Sequence, residues 1–467
     1  MRLEPLLTAE ETRLAEEAHA GPMEELMERA GAAVAGVVLA GFPGTVTVVC
    51  GKGNNGGDGK VCARVLQEAG REVRVVEGVG DLGNADVIVD ALFGIGLREA
   101  PRDDAARMID RINASGRPVV AVDVPSGVNA STGEVPGAAV RATATVTFGA
   151  AKVGLAVAPG HFHAGRVHIA PIGLRPREYE HSLVPASALL EVPRKRPEST
   201  KYTAGSVLIV GGSRGLTGAP ALAAVAAFRA DAGYVAVAAP ESALPVLETT
   251  LLEVVKRPLA EDHSGRLLPR SADAIVEAAE KADAVAIGPG LGRSDGTVEL
   301  VRILLDRLSL PVVLDADALW ELEPFARAAP TVLTPHSGEL ARLLGANSRD
   351  VDAHRLASAQ RAATRFGAVV LLKGADTIVA SPREGVLVAT YGTPALATAG
   401  SGDVLTGIVA AFLAKGMDPR LAAGTAAVAH GVAAELVDPQ PGTVASDLLP
   451  ALRRALAGHG LQRPPLQ

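Results

Sequence analysis

Short apolar runs recur along the chain between stretches with helical spacing. In the first half they are "TVTVVC", "REVRVVEG", "ADVIVDALFG", "PVVAVDVPSG" and "ATATVTFG", with amphipathic segments such as "VCARVLQEAG" and "DDAARMIDRI" between several of them. The runs are continuously apolar rather than alternating, which predicts strands buried on both faces: a parallel sheet covered by helices. Ahead of them, "TAEE" (Thr8 to Glu11) has the form of a capping box and predicts a helix to about Ala20. Gly21-Pro22 ends that helix, and a second is expected up to about Ala40.

The periodicity lapses in "LVPASALLEVPRKRPESTKYTAGS", where Pro, charge and small polar residues take over, so a domain boundary is expected near residues 190 to 200. A second series follows: "SVLIVGGS", "GYVAVAAP", "ADAVAIGPGLG", "LPVVLDADAL", "PTVLTPHSGE" and "AVVLLKGADT". Two long Ala-rich helices are expected over 402 to 437. The two series are not copies of one unit. The expected fold is therefore α/β in two three-layer domains: a Rossmann-like doubly wound sheet in residues 1–195 and a second sheet in 196–467.

Composition narrows the function class. The 467 residues are 48% apolar with a net charge of -7, and the charges are scattered, so no basic field exists for nucleic acid or anionic lipid. Arg2 and Glu4 precede no apolar signal core, and no uncharged apolar stretch is long enough to span a bilayer. A cytoplasmic enzyme acting on a small molecule is expected, as a homo-oligomer, with no membrane partner. Cys50 and Cys62 are the only cysteines and have no metal-site spacing, so both are expected to be buried hydrophobes. Asparagine is scarce, six in the chain, yet Asn54 and Asn55 stand side by side.

Those asparagines lie in "CGKGNNGGDGKV", directly after an apolar run. Gly51, Gly53 and Gly56 satisfy G-x-G-x-x-G, a loop that can lay a pyrophosphate on a helix N-terminus. A bare tight turn between strand and helix would match it equally well. A kinase-type phosphate loop is excluded, because Val61 follows Lys60 where Ser or Thr should hold magnesium. Asp58 in a low-dielectric pocket is expected to repel a pyrophosphate unless a cation intervenes. In doubly wound sheets ligands bind beyond the carboxyl ends of strands, where Asn54 to Asp58, Asp90 and Asp123 would converge. Carboxylates, the Asn55 amide oxygen and the Ser126 hydroxyl are hard oxygen ligands suited to a cation.

"GKGNNGGDG", "VDALFGIGL" and "VDVPSG", in that order, resemble the NAD(P)H-hydrate epimerase family over about residues 5 to 180. The resemblance implies that Asn54, Asn55, Gly56, Gly57 and Asp58, with Gly94, Ile95, Gly96, Leu97, Arg98, Glu99 and Ala100, hold a hydrated nicotinamide nucleotide. It further implies that Asp123 faces the nucleotide and that Asn55, Asp90 and Ser126 bind K+. Exchanging the hydrate epimers breaks and remakes a C–OH bond beside the ring nitrogen, so Asp123 is the candidate general acid/base. Its competing role is to cap the "PSG" turn.

In the second half, "TAGSGDVLTGIVAAFLA" puts Gly400, Ser401 and Gly402 at a helix start with Asp403 in the first turn. Free N–H groups there make an anion site, and an adjacent acid can take a hydroxyl proton during phosphoryl transfer. With "LLKGADT", "AIGPGLG" and "LTPHSGE", this stretch resembles the ribokinase-like fold, specifically its NAD(P)H-hydrate dehydratase branch, over residues 200 to 460. The resemblance implies that ADP or ATP, with Mg2+, is held by Lys373, Gly374, Ala375, Asp376, Thr377 and Gly402. It implies that the hydrate is contacted by Ala219, Gly290, His336 and Asp403, with Asp403 catalytic. Thr393 stands before Pro394 where many relatives have Asn.

Together the two resemblances imply metabolite repair. One domain epimerises the R and S hydrates of NADH and NADPH, and the other dehydrates the S form through phosphorylation and phosphate elimination. The competing reading is an ATP-dependent thiazole- or pyridoxal-type kinase with an N-terminal nucleotide-sensing module.

Overall fold

Continuous apolarity along a strand requires cover on both faces, and the structure supplies it. The computed structural model describes residues 2–176, 178–437, 442–459 and 466. The chain divides into two compact units, one of Glu4–Ser182 with a few later residues, the other of Leu183–Val351 and Ala357 onward. The division lies ahead of the expected 190–200. The reason is burial: Ala186, Ala188 and Leu189, on a short 3-10 turn, already belong to the core of the second unit.

In the first unit a six-stranded parallel sheet runs in the order Val73–Glu77, Val46–Cys50, Val87–Ala91, Val119–Val122, Ala144–Phe148, Arg166–Ala170. Successive residues serve opposite layers. Val46, Val48 and Cys50 pack with the helices Met23–Gly41 and Asn54–Glu68, while Val49 and Ile88 pack with Met108, Ile109 and Ile112 of Asp103–Ala114. The Thr8–Glu11 capping box is formed and opens Ala9–Glu17. At the edges one expected strand differs in burial and one strand was not expected. Val73–Glu77 is largely exposed because it is an edge strand, and Arg166–Ala170, on the opposite edge, has too little continuous apolarity to be read from sequence.

The second unit orders its strands Val255–Leu259, Tyr234–Pro240, Ser206–Val210, Ala284–Ile287, Val312–Leu314, Thr331–Leu333, Val369–Leu372, Thr377–Ala380, Leu387–Ala389. All pairings are parallel until the last two, which are antiparallel. The Ala-rich helices are Ser401–Ala414 and Pro419–Leu436. Their small side chains allow backbones to approach closely. A Cβ at Gly407 would lie 2.1 Å from the Ala223 carbonyl oxygen of helix Gly218–Arg229. No helix among the described residues is long and apolar enough to cross a membrane.

Candidate active sites

The first unit's strand order reverses between Val46–Cys50 and Val87–Ala91, so the turns leaving Cys50 and Ala91 diverge and open a crevice. Gly51 and Gly56 let these turns close-pack. A Cβ at Gly51 would sit 2.0 Å from the Leu92 carbonyl oxygen, and one at Gly56 2.0 Å from that of Gly51. Gly53, the N-cap of Asn54–Glu68, faces open space. The result is a cleft of about 1080 Å3 lined by Asn54, Asn55, Asp58, the 94–100 loop and Asp123. Of the residues expected there, Gly56 and Gly57 do not line it. Gly56 is spent on the turn, and Gly57 sits under the Met27 side chain.

Asp123 occupies a left-handed backbone conformation (φ 65°), a costly geometry for a residue with a side chain. Its N–H donates to the Val146 carbonyl at 2.7 Å, and its Oδ1 accepts from Thr147 Oγ1 at 2.9 Å and lies 2.6 Å from Lys152 Nζ. Lys152 is fully buried and also donates to Thr147 Oγ1 and the Phe148 carbonyl. The role of turn cap is not what the carboxylate performs; it is held by a buried ammonium at the cleft wall.

Asp58 lines the same cleft, and its pKa is pushed up to about 8 by burial and by the nearby Asp123 and Glu16 carboxylates. Glu16 is also raised, by burial first and Asp123 second. Sequence reasoning missed Glu16, Thr147 and Lys152. The one available signal was Lys152, a single charge inside "GAAKVGLAVA" in a lysine-poor chain.

Asp90 and Ser126 lie beneath the cleft. Asp90 has no exposure, and its carboxylate accepts from the Ser126 N–H at 2.8 Å, Ser126 Oγ at 2.7 Å and the Leu92 N–H at 3.3 Å. Burial raises its pKa, with those bonds opposing. No cationic side chain pairs with it among the described residues. Asn55, 8% exposed, leaves its side-chain nitrogen without a partner, and its Oδ1 lies within 3.0 Å of where a Gly94 Cβ would be. A buried carboxylate with no cationic partner, beside hydroxyl and carboxamide groups, is a donor set that fits a hard cation. Cys50 and Cys62 are free and buried, as expected.

In the second unit the strand ends again supply the chemistry. Asp315 follows Val312–Leu314, and its Oδ1 receives Lys373 Nζ at 2.8 Å while its Oδ2 receives Thr406 Oγ1 at 2.7 Å. Lys373 begins the hairpin turn between Val369–Leu372 and Thr377–Ala380. Its Nζ lies 4.0 Å from Glu339 Oε2 and only 3.2 Å from where a Gly402 Cβ would be. Burial works against the Lys373 charge, but Asp315, Glu339 and Asp403 outweigh it and hold the ammonium above its ordinary range. Asp403 is raised to about 7, first by burial and then by Asp315, with Lys373 opposing. That value suits a general base at neutral pH.

Ala219 and Gly290 meet, since a Gly290 Cβ would fall 3.3 Å from that of Ala219. The same turn continues to Gly292, whose N–H donates to Asp317 Oδ2 at 3.0 Å, and Asp317 in turn acts on Asp403. Gly374 and Ala375 are exposed at the hairpin tip, Thr377 is half-buried, and Asp376 is turned inward. His336 caps helix Ser337–Leu344: its Nδ1 accepts from the Gly338 N–H at 3.0 Å, while Glu339 Oε2 accepts from the His336 N–H. Its ring remains exposed. Thr393 Oγ1 accepts from the Ala395 N–H at 3.3 Å and starts a short turn. Sequence reasoning missed Asp315, Glu339 and His430, a buried imidazole that burial and Lys373 lower to about 4.

A family profile described as NAD(P)H-hydrate dehydratase matches residues 207–455, and one described as YjeF-related protein N-terminus matches 23–83 and 77–154. The bifunctional NAD(P)H-hydrate repair enzyme Nnr of Moorella thermoacetica is 40% identical, over 94% of this chain and 93% of its own.

The chain belongs to the bifunctional NAD(P)H-hydrate repair enzyme family.

The Escherichia coli member is 36% identical over 92% of this chain and 89% of its own. Among solved structures, the ADP/ATP-dependent NAD(P)H-hydrate dehydratase of Bacillus subtilis, co-crystallised with ATP/Mg2+, is 30% identical with a TM-score of 0.53, covering 59% of this chain and 98% of that one. A ribokinase-like superfamily protein from Enterococcus faecalis, 24% identical with a TM-score of 0.51, covers 59% of this chain and 95% of that one and shares the fold. Membership in the repair-enzyme family makes this chain an enzyme with a nucleotide-dependent lyase domain and an isomerase domain.

Proposed function

We propose that the Asp123 cleft epimerises the R and S hydrates of NADH and NADPH, and that the Asp403 site dehydrates the S form at the expense of ADP or ATP. The observation that supports this most is the pairing, in one chain of this family, of a carboxylate fixed by a buried ammonium in the first unit with a near-neutral carboxyl beside Lys373 in the second.

In the first unit Asn54, Asn55 and the 94–100 loop hold the nucleotide, and Asp123 moves the proton at the hydrate oxygen. K+ at Asn55, Asp90 and Ser126 would supply the positive charge that the buried Asp90 carboxylate lacks, stiffening the floor of the cleft. In the second unit Lys373 and the N–H groups around Gly402 take the nucleotide phosphates, with Gly374, Ala375, Asp376 and Thr377 along the nucleotide. Ala219, Gly290 and His336 bound the hydrate. Asp403 removes the hydroxyl proton as phosphate is transferred to that oxygen, and loss of the phosphate restores the dihydropyridine. Mg2+ would neutralise phosphate charge. The protein is read as a cytoplasmic homo-oligomer.

The test is incubation of the full chain with mixed hydrates and ADP or ATP, following the return of dihydronicotinamide absorbance. Complete recovery is expected. Recovery that stops at the share of the S form would remove the epimerase half, and a stable phosphorylated product would favour the kinase reading.

A further inference from the structure

The cleft of the first unit presents two aspartates in contrasting surroundings. Asp123 Oδ1 is engaged by Lys152 Nζ and Thr147 Oγ1, which leaves Oδ2 without a partner among the described residues. Asp58, on the first turns of Asn54–Glu68, accepts no side-chain or backbone donor and pairs with no cation among the described residues. The charged groups that act on it come from three other elements: Glu16 on the N-terminal helix, Asp123 after Val119–Val122, and Lys152 on the Ala151–Lys152 strand. Lys152 is committed to Asp123, so when one proton is shared among these carboxyls it rests on the group with no donor and no counter-ion. Glu16 is less suited, because Arg13 also acts on it.

We infer that Asp58 is a second catalytic residue, the proton donor that works with Asp123 as an acid and base pair across the hydrate ring. This deepens, and rests on, the epimerase reading. Asp58 gives its proton to the ring hydroxyl, the C–O bond breaks, water leaves, and the ring nitrogen lone pair forms a C=N bond. Asp123 Oδ2 takes a proton from a water that adds to the opposite face, the C=N electrons returning to nitrogen. The ring gains and loses one water and no redox change occurs. The pair ends with the proton moved from Asp58 to Asp123, and the reverse epimerisation runs from that state. An acid and a base on opposite faces is the arrangement that inverts a carbon centre bearing a leaving oxygen. Protonation of Asp58 near neutral pH is in keeping with this role.

The experiment uses the full chain with purified R-hydrate of NADPH, following the S form by chromatography across a pH series. For Asp58→Asn, kcat is expected to fall at least about 100-fold while KM stays within about threefold. The wild-type loss of rate above about pH 8 is expected to disappear from the residual activity, and Asp58→Glu should restore part of the rate. Rates within threefold of wild type in Asp58→Asn, or an unchanged alkaline limb, would overturn the assignment. Direct titration of the Asp58 carboxyl in wild-type protein by carbon NMR gives a check independent of variant folding: a midpoint near 8 supports it, and one below about 6 overturns it. A wild-type chain that does not interconvert the hydrates at all would instead remove the epimerase reading itself.

Discussion

Replacing Lys152 by Met isolates the interaction that holds Asp123 in place. The side chain is fully buried, and its ammonium makes three contacts: Asp123 Oδ1 at 2.6 Å, Thr147 Oγ1 at 3.0 Å and the Phe148 carbonyl at 2.9 Å. Removing one partner of a buried pair costs about 3–5 kcal/mol, because the other charge is left without compensation. Unpairing the Phe148 carbonyl adds about 1 kcal/mol. Asp123 keeps 10% of its side chain open to the cleft, so water recovers part of this, and a loss of about 3 kcal/mol is expected. The double variant Lys152→Met, Asp123→Asn removes both charges and should regain about 2 kcal/mol. Hydrogen exchange under increasing urea, read on peptides spanning 144–156, localises the effect, with peptides of 401–414 in the second unit as internal reference. A loss under 1 kcal/mol, or no recovery in the double variant, would show that Lys152 does not compensate Asp123.

Further outcomes follow from the same geometry. Asp58 is raised in the folded protein, so its burial costs stability that grows as pH rises from about 4 and levels off above about 8; Asp58→Asn should stabilise the first unit by about 4 kcal/mol at pH 7 and by little at pH 4, measured by chemical denaturation. Asp403 must be unprotonated to act as a base, so dehydratase kcat/KM should rise with pH through about 7 and then level off, and Asp403→Asn should lose about 10³-fold while still binding nucleotide by calorimetry. A Cβ at residue 402 would fall 3.2 Å from Lys373 Nζ, so Gly402→Ala should raise the nucleotide KM about tenfold with a smaller change in thermal stability. Gly51→Ala would force a carbon to 2.0 Å from the Leu92 carbonyl oxygen, so it should destabilise the first unit by about 3 kcal/mol or more and reduce epimerisation without changing dehydration of pure S-hydrate.

The amino-acid order by itself specified the parallel sheets, because a strand covered on both faces must be apolar at every position, and "ADVIVDALFG" or "SVLIVGGS" can satisfy no other arrangement so well. It also specified the strand-end placement of Asp123 and Lys373, since loops leaving parallel strands gather at one edge, and the helix-start placement of Asp403. The Thr8–Glu11 box and the two Ala-rich helices were equally local. Edge strands such as Arg166–Ala170 and the closing hairpin were not legible, because their residues face solvent or a neighbour only after the sheet exists. The same limit applies to the chemistry. Lys152 reaches Asp123 across 29 positions of chain, and Asp315 reaches Lys373 across 58. The protonation of Asp58 and Asp403 depends on how much water the assembled cleft admits and which charges stand nearby. Residue type sets what a carboxyl can do; only the folded surroundings, through desolvation and Coulomb attraction, decide which carboxyl holds a proton and which one takes it.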